Sequence, residues 1–321
     1  MSIKILTPRR YRGETDLEAI AQLLNSSESA RQFHEWPSPA EMLMQLETPS
    51  VDKQRDICLW EDSKSQVMAI AGLIIPEIGE DIAGILWFRV DPQTKGDNLE
   101  AQILEWGEKR MGEVGRKRNV KVKVLCGAHG DNSQRISLLE SCGFEIERYF
   151  LTMERSLTDP IPEAEFPEGF TLKHIENEAD AAVWAEMFNQ TFIDHWNHQD
   201  ITVKSVKDKL NDPKYQSELS LVAVAPDGTF AAFCDCQIHP ENNELNKRKD
   251  GLVTLLGTRR GFRKRGLGRG ILLSVLKLLK AEGMEMAMLY VDADNLSGAT
   301  RLYESVGFWR VNTQIAYIKA V

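Results

Sequence analysis

The stretch RKRGLGRGILL, Arg263–Leu273, sets three glycines and four cations within eight residues and then turns wholly apolar. A bare, basic backbone immediately ahead of an apolar run has three readings: a phosphate loop, a nucleic-acid patch, or a solvated basic turn. The flanks decide among them. The preceding run GLVTLLGT, Gly251–Thr258, is apolar, rich in branched residues and closed by a turn, which reads as a buried strand. The following run reads as a helix from Leu267, with Ser274, Lys277 and Lys280 spaced along an otherwise apolar surface and Gly283 as its stop. The glycines therefore occupy a strand-to-helix turn, where unpaired N–H groups and the positive end of the helix dipole favour phosphate. Gly266 and Gly268, lacking a Cβ, let that backbone come close to a ligand. Neither common nucleotide loop fits. A dinucleotide fingerprint would need a small residue at Ile271, and Arg269-Gly270-Ile271 stands where a Walker loop needs Gly-Lys-Ser/Thr.

The 321 residues suggest about two domains. A hydrophobic content of 42% with 27% charged residues is ordinary for a globular chain able to bury a core in each half. The net charge of −9 argues against a general polyanion or nucleic-acid binder and makes a local basic cluster more informative. Five scattered cysteines, an odd number, do not form a disulfide framework and fit a reducing compartment. The start MSIKILTPRRYRGETD lacks the apolar core of a signal peptide, and no run reaches membrane-spanning length. The expectation is a cytoplasmic protein without membrane association.

The segment SLTDPIPEAEFPEGF, Ser156–Phe170, carries Pro160, Pro162 and Pro167 and reads as a linker near mid-chain. The two sides resemble each other. Each has a hairpin-like strand pair, an apolar strand (AGILWFRV and GLVTLLGT), a helix, a further strand (VKVKVLCG and MAMLYVDA), a short helix, a Gly-Phe pair and a final strand. The closing pairs Gly143-Phe144 and Gly307-Phe308 lie 164 residues apart. A repeat of domain size implies duplication of one fold. The expected class is α/β (α+β), with domains over 1–155 and 170–321, a linker over 156–169, and a mixed, mostly antiparallel sheet flanked by helices in each.

Beyond the loop stands DADNLSGATRLYESVGF, with Asn295, Ala299, Leu302, Tyr303, Gly307 and Phe308. With this signature in place the sequence resembles the GNAT-type N-acetyltransferases, whose pyrophosphate loop reads Arg/Gln-x-x-Gly-x-Gly/Ala and whose later signature reads Asn-x(3)-Ala-x(2)-Leu-Tyr-x(3)-Gly-Phe. The resemblance is full over Phe170–Val321 and only in outline before that; the tandem arrangement is similar to the mycothiol-synthase branch. It implies that acetyl-CoA is the co-substrate, held between strands Leu252–Thr258 and Met286–Asp292. It implies backbone contacts to the pantetheine arm at Leu256, Gly257 and Thr258, with an oxyanion-stabilising amide near Gly257 or Thr258. The pyrophosphate is expected on Arg263, Lys264, Arg265, Gly266, Leu267, Gly268 and Arg269. Asn295 and Ala299 would border the pantetheine, and Tyr303 would serve as donor to the departing thiolate. Six cations and no acid between Arg259 and Arg269 suit the phosphates of CoA. The partner is a small-molecule or peptide amine whose identity the sequence does not spell out, as it does not give the oligomeric state. The alternative is a non-catalytic CoA-binding or regulatory module.

The first half lacks this equipment. At matched positions Leu139 replaces Tyr303, Arg135 replaces Ala299 and Asp131 replaces Asn295; Lys95 keeps a cation, but Asn98 and Glu100 replace the two glycines. It is expected to be catalytically silent. His195 and His198 have helical spacing but no third ligand, so no metal is expected; the resemblance instead assigns Trp196 and His195 to the loop between the first two helices that covers the acceptor, and Phe33–Pro39 is its loose counterpart in the first half. Cys234 and Cys236 point to one face of a strand as buried neutral thiols. Asp235, on the other face, is a candidate to receive the acceptor's proton.

Overall fold

The computed structural model describes residues 6–26, 52–77, 79–91, 94, 98–175, 177–193, 200–294 and 298–321. In chain order its elements are β1 (Thr7–Arg10), α1 (Glu14–Ser26), β2 (Ile57–Glu61), β3 (Val67–Ile74), β4 (Asp81–Val90), α2 (Leu99–Arg118), β5 (Lys121–His129), α3 (Ser133–Ser141) and β6 (Glu145–Ser156). After them come β7 (Thr171–His174), α4 (Ala181–Phe192), α5 (Val203–Leu210), β8 (Ser220–Val224), β9 (Phe230–Ile238), α6 (Pro240–Asn246), β10 (Asp250–Thr258), α7 (Leu267–Ala281), β11 (Met286–Asp292), α8 (Ala299–Ser305) and β12 (Trp309–Ala320). The chain divides into two compact units, residues 1–150 with 312–321, and residues 151–311.

In the first unit β1, β2, β3 and β4 pair antiparallel in sequence order, and β4 pairs parallel with β5. The strand after β5 is the last of the chain: Gln314–Ala320 runs antiparallel to Lys123–His129, and Ile315 and Tyr317 enter this unit's core. The sequence reading placed these residues in the second domain, because the two strands that follow the Gly-Phe pairs look alike and periodicity does not say which sheet edge each joins. Residues 151–156 of β6 belong correspondingly to the second unit, where Met153 is buried.

The second unit orders its strands β6-β11-β10-β9-β8-β7, antiparallel from β7 to β10 and parallel between β10 and β11. Mixed sheets flanked by helices are thus present in both units. The β8–β9 hairpin closes on Pro226-Asp227-Gly228, where Gly228 takes φ 85° and the Thr229 amide donates to Asp227 Oδ1. β9 is almost wholly buried because both its faces are covered. On one face lie α7 and α8, whose Leu267, Ile271, Val275, Leu279 and Tyr303 join Cys234, Cys236 and Val253. On the other lie α4 and α5, with Trp184, Met187 and Val206 against Val222 and Phe233.

The segment read as a linker is ordered against α7. Phe166 and Ile161 pack on the core, Lys277 pairs with Glu163 at 2.6 Å, and the buried Arg155 donates to the carbonyls of Pro160 and Val306. Gly270 makes room for it: a Cβ there would sit 2.6 Å from the Glu165 carbonyl oxygen. Proline content signalled an irregular path, not a loose one.

Candidate active site

The site begins where two strands part. β10 and β11 pair in parallel register from Asp250↔Met286 to Val253↔Leu289, and no further pair follows among the described residues. On its other edge β10 continues pairing with β9 from Leu255↔Asp235 to Thr258↔Ala232, after a register shift between Val253 and Leu255. The bulge twists the strand away from β11. Leu255, Leu256 and Thr258 are left half-buried with one backbone edge open, a template for an extended polar chain.

Gly257 is fixed by packing. A Cβ would stand 2.6 Å from Thr191 Cγ2 and 2.7 Å from Phe233 Cε1, so only glycine lets the end of α4 lie on this strand. Beyond Thr258 the chain makes a 3-10 turn at Arg260–Phe262 and enters the loop. Lys264 and Gly266 both have left-handed backbones, φ 62° and 83°, separated by Arg265. Such alternation turns successive N–H groups toward one concavity, and α7 starts directly behind it with no side-chain cap. Its first amides therefore stay available to an anion. Gly268, in the first turn, faces the wedge: its missing Cβ would lie 3.3 Å from Thr258 Oγ1 and 3.5 Å from Leu302 Cδ2.

The basic side chains divide in purpose. Arg263, expected on phosphate, turns inward: Nε donates to the Thr258 carbonyl at 3.1 Å and Nη2 to the Thr191 carbonyl at 2.9 Å. It ties the loop to the end of β10 and the end of α4. Arg259 pairs with Glu186, and Arg265 stacks over Phe262 at 5.3 Å. Lys264 is exposed. Arg269, in the first turn of α7, has its Nη1 buried without a hydrogen-bond partner. An unpaired buried guanidinium nitrogen is costly unless a ligand completes it. The loop thus fits a phosphate-bearing group through Arg269 and its backbone.

Tyr303 lies on α8, 7% exposed, with its ring edge-on to Phe308 at 5.8 Å. Burial pushes its phenol above the ordinary range, and the nearby Cys234 thiol acts in the same direction, so the hydroxyl stays protonated as a donor. Ala299 opens α8. Asn295 lies outside the described residues, as do Lys95, His195, Trp196, His198 and Phe33–Pro39. Cys234 and Cys236 are free and buried.

Asp235 is not idle. Oδ2 accepts from Lys209 Nζ and Oδ1 from Ser220 Oγ, each at 2.5 Å, and the Lys209 ammonium lies 4.9 Å from the Trp184 ring centre. Both carboxylate oxygens are thus engaged by neighbouring side chains. Neither this network nor Thr191 carried a signal in the sequence: they are joined only by the packing of α4 and α5 on β9. No group of three or more His, Cys, Asp or Glu side chains suited to a metal occurs among the described residues, and no helix there is long and apolar enough to cross a membrane.

A profile of the acetyltransferase (GNAT) family matches residues 181–308. The mycothiol acetyltransferase of Salinispora tropica is 30% identical over 241 residues, 74% of this chain and 77% of that one. The chain belongs to the GNAT acetyltransferase family. The mycothiol acetyltransferase of Thermobispora bispora is 32% identical to this N-acetyltransferase over 60% of its chain, a match spanning 65% of the relative's length. A GCN5-related N-acetyltransferase from Sphaerobacter thermophilus shares the fold over 98% of this chain and 95% of its own, with TM-score 0.78 and 22% identity. A tandem GNAT protein from the clavulanic acid biosynthesis pathway does so over 98% of both chains, with TM-score 0.73 and 14% identity. GNAT enzymes use acetyl-CoA and small amine acceptors; the wedge, loop and Tyr303 stand in the second unit of this acetyltransferase.

Proposed function

We propose that the second unit transfers an acetyl group from acetyl-CoA to the amine of a small-molecule or peptide acceptor by direct attack. The parting of β10 and β11 after Val253↔Leu289, with the basic loop just beyond it, carries this reading. The pantetheine arm lies along the open edge at Leu256, Gly257 and Thr258, and the diphosphate rests on the amides over Arg263–Arg269 with the Arg269 guanidinium. Ala299, the first residue of α8, borders the arm.

The amine nitrogen attacks the thioester carbonyl carbon, and the carbonyl oxygen gathers charge near the amides of Gly257 and Thr258. As the tetrahedral adduct collapses, the C–S bond breaks and the nitrogen loses its proton to solvent. Tyr303 donates a hydrogen bond to the departing sulfur. In an unperturbed pair the phenol is the weaker acid by about 1.5 pKa units, so complete transfer to the thiolate is uphill by ~2 kcal/mol. Burial raises the phenol further. The hydrogen bond, strengthening as sulfur becomes anionic, is therefore the main contribution of Tyr303.

The first unit supplies no transfer chemistry: Leu139, fully buried, occupies the position matching Tyr303. An acceptor of the mycothiol type comes first on the assay panel, because the relatives are named for it. The test is release of free CoA thiol from acetyl-CoA across an amine panel. Acceptor-dependent release that the Tyr303→Phe variant loses supports the reading. Absence of acetyl-CoA binding by thermal shift, where ligand at 100 times its Kd would add about 2.7 kcal/mol, would overturn it.

A further inference from the structure

The first unit repeats the frame of the wedge in detail. Asn98, left-handed at φ 55°, precedes α2 as Gly266 precedes α7. Leu99 and Leu267 follow as buried first residues of their helices, and Glu100 then stands where Gly268 stands. The strands agree. β4 and β5 pair in parallel from Asp81↔Lys121 to Leu86↔Cys126, and among the described residues β4 runs on to Val90 against β3 alone. So the first unit has the parted strands, the left-handed residue and the helix start, but with a carboxylate in the place of a bare glycine.

That carboxylate has a partner. Glu100 Oε2 lies 3.4 Å from Arg135 Nε, and the Arg135 guanidinium carbon lies 3.9 Å from the ring centre of Phe88, on β4 just past the last parallel pair. Counted back from the closing Gly-Phe pairs, Arg135 matches Ala299. Two of the residues that break the motif are thus in contact with each other. An acid in the first turn of α2 suits the helix dipole, and a guanidinium over an aromatic ring while paired to an acid is a favourable use of arginine.

We infer that the cleft of the first unit is closed by its own side chains: the Glu100 carboxylate takes the phosphate's place at the start of α2, and Arg135 covers it and fills the wedge over Phe88. The chain consequently binds one CoA-type molecule, in the second unit. The count rests on the reading proposed above for that unit; the closure does not.

Equilibrium dialysis of the intact wild-type protein against radiolabelled CoA tests the count. One molecule per chain is expected, and none in Gly268→Glu. Two per chain, or one retained in Gly268→Glu, overturns the inference. No binding by wild type would instead remove the assignment of the second unit, and closure is then decided by a second readout. Cys126, at the last parallel pair and within range of the Arg135 charge, is buried, and burial pushes its thiol up to about 11. In the E100G/R135A variant its alkylation by iodoacetamide should rise at least tenfold, while Cys58, buried elsewhere in the same unit, should not change. No rise at Cys126, or a rise shared by Cys58, overturns the closure.

Discussion

Arg263 separates two accounts of the basic loop. If its side chain held phosphate, Arg263→Ala would leave the ligand-free protein intact and weaken CoA alone. The structure instead gives it two carbonyls, of Thr258 at 3.1 Å and Thr191 at 2.9 Å, that fasten the loop between β10 and α4. Hydrogen bonds from a charged donor contribute about 1.5–3 kcal/mol each in favourable settings, and a half-buried pair near solvent is placed lower, at about 2 kcal/mol together. For a unit of this size each kcal/mol moves Tm by about 2–4 °C, so the ligand-free Tm should fall by ~4–8 °C. Differential scanning fluorimetry without ligand reads this directly. Arg263→Lys, with one donor head in place of a planar fork, should recover only part of the loss. CoA affinity should also fall, because the loop amides lose their fixed geometry. Arg265→Ala, whose side chain stacks on Phe262, is the control and should leave the ligand-free Tm near wild type. An unchanged ligand-free Tm in Arg263→Ala, with CoA binding lost, would refute the fastening role and return Arg263 to the phosphate.

Tyr303→Phe keeps the buried ring against Phe308 and removes the donor, so kcat should drop by about 10²-fold with the acetyl-CoA Kd within twofold of wild type, in steady-state and binding assays. Gly257→Ala forces a methyl against Thr191 and Phe233 and should destabilise by about 1–3 kcal/mol in urea melts. Asp235→Asn disturbs the buried contact with Lys209 and should lower Tm, yet the folded fraction should keep turnover within tenfold; a collapse of kcat at unchanged Tm would make Asp235 the acceptor's base after all. Burial pushes the Cys58 and Cys126 thiols up to about 12 and about 11 from 9.0. The unfolded chain therefore releases these protons first, and stability, fully present below pH ~9, should fall by about 1.4 kcal/mol per pH unit for each thiol between there and its folded value. Urea melts at stepped alkaline pH check the slope, which Cys58→Ala should reduce.

What could be read from the sequence was whatever depends on local chemistry. Gly266 and Gly268 between an apolar strand and an apolar helix gave the turn, the start of α7 at Leu267 and its end before Gly283, because left-handed backbone and free amides are demands of the adjacent residues themselves. The ten strands of the two repeats were found for the same reason: alternation and branched residues mark them wherever they pair. Side-chain destinations were a different matter. Arg263 and Arg269 look equivalent as cations of the loop, yet one spans to Thr191, 72 residues away, and the other keeps a buried nitrogen unpaired. The ownership of β12 was hidden too, since duplicated halves carry interchangeable edges and only Ile315 and Tyr317, packed against Val124 and Cys126 in the first unit's core, decide it. The pairing of Glu100 with Arg135 shows the general case. Each residue alone reads as a lost motif position, a repulsive acid and an intrusive cation. Brought within 3.4 Å they answer one another, so a double departure from a binding motif can be a replacement for its ligand, visible only once the helix starts of α2 and α3 are set side by side.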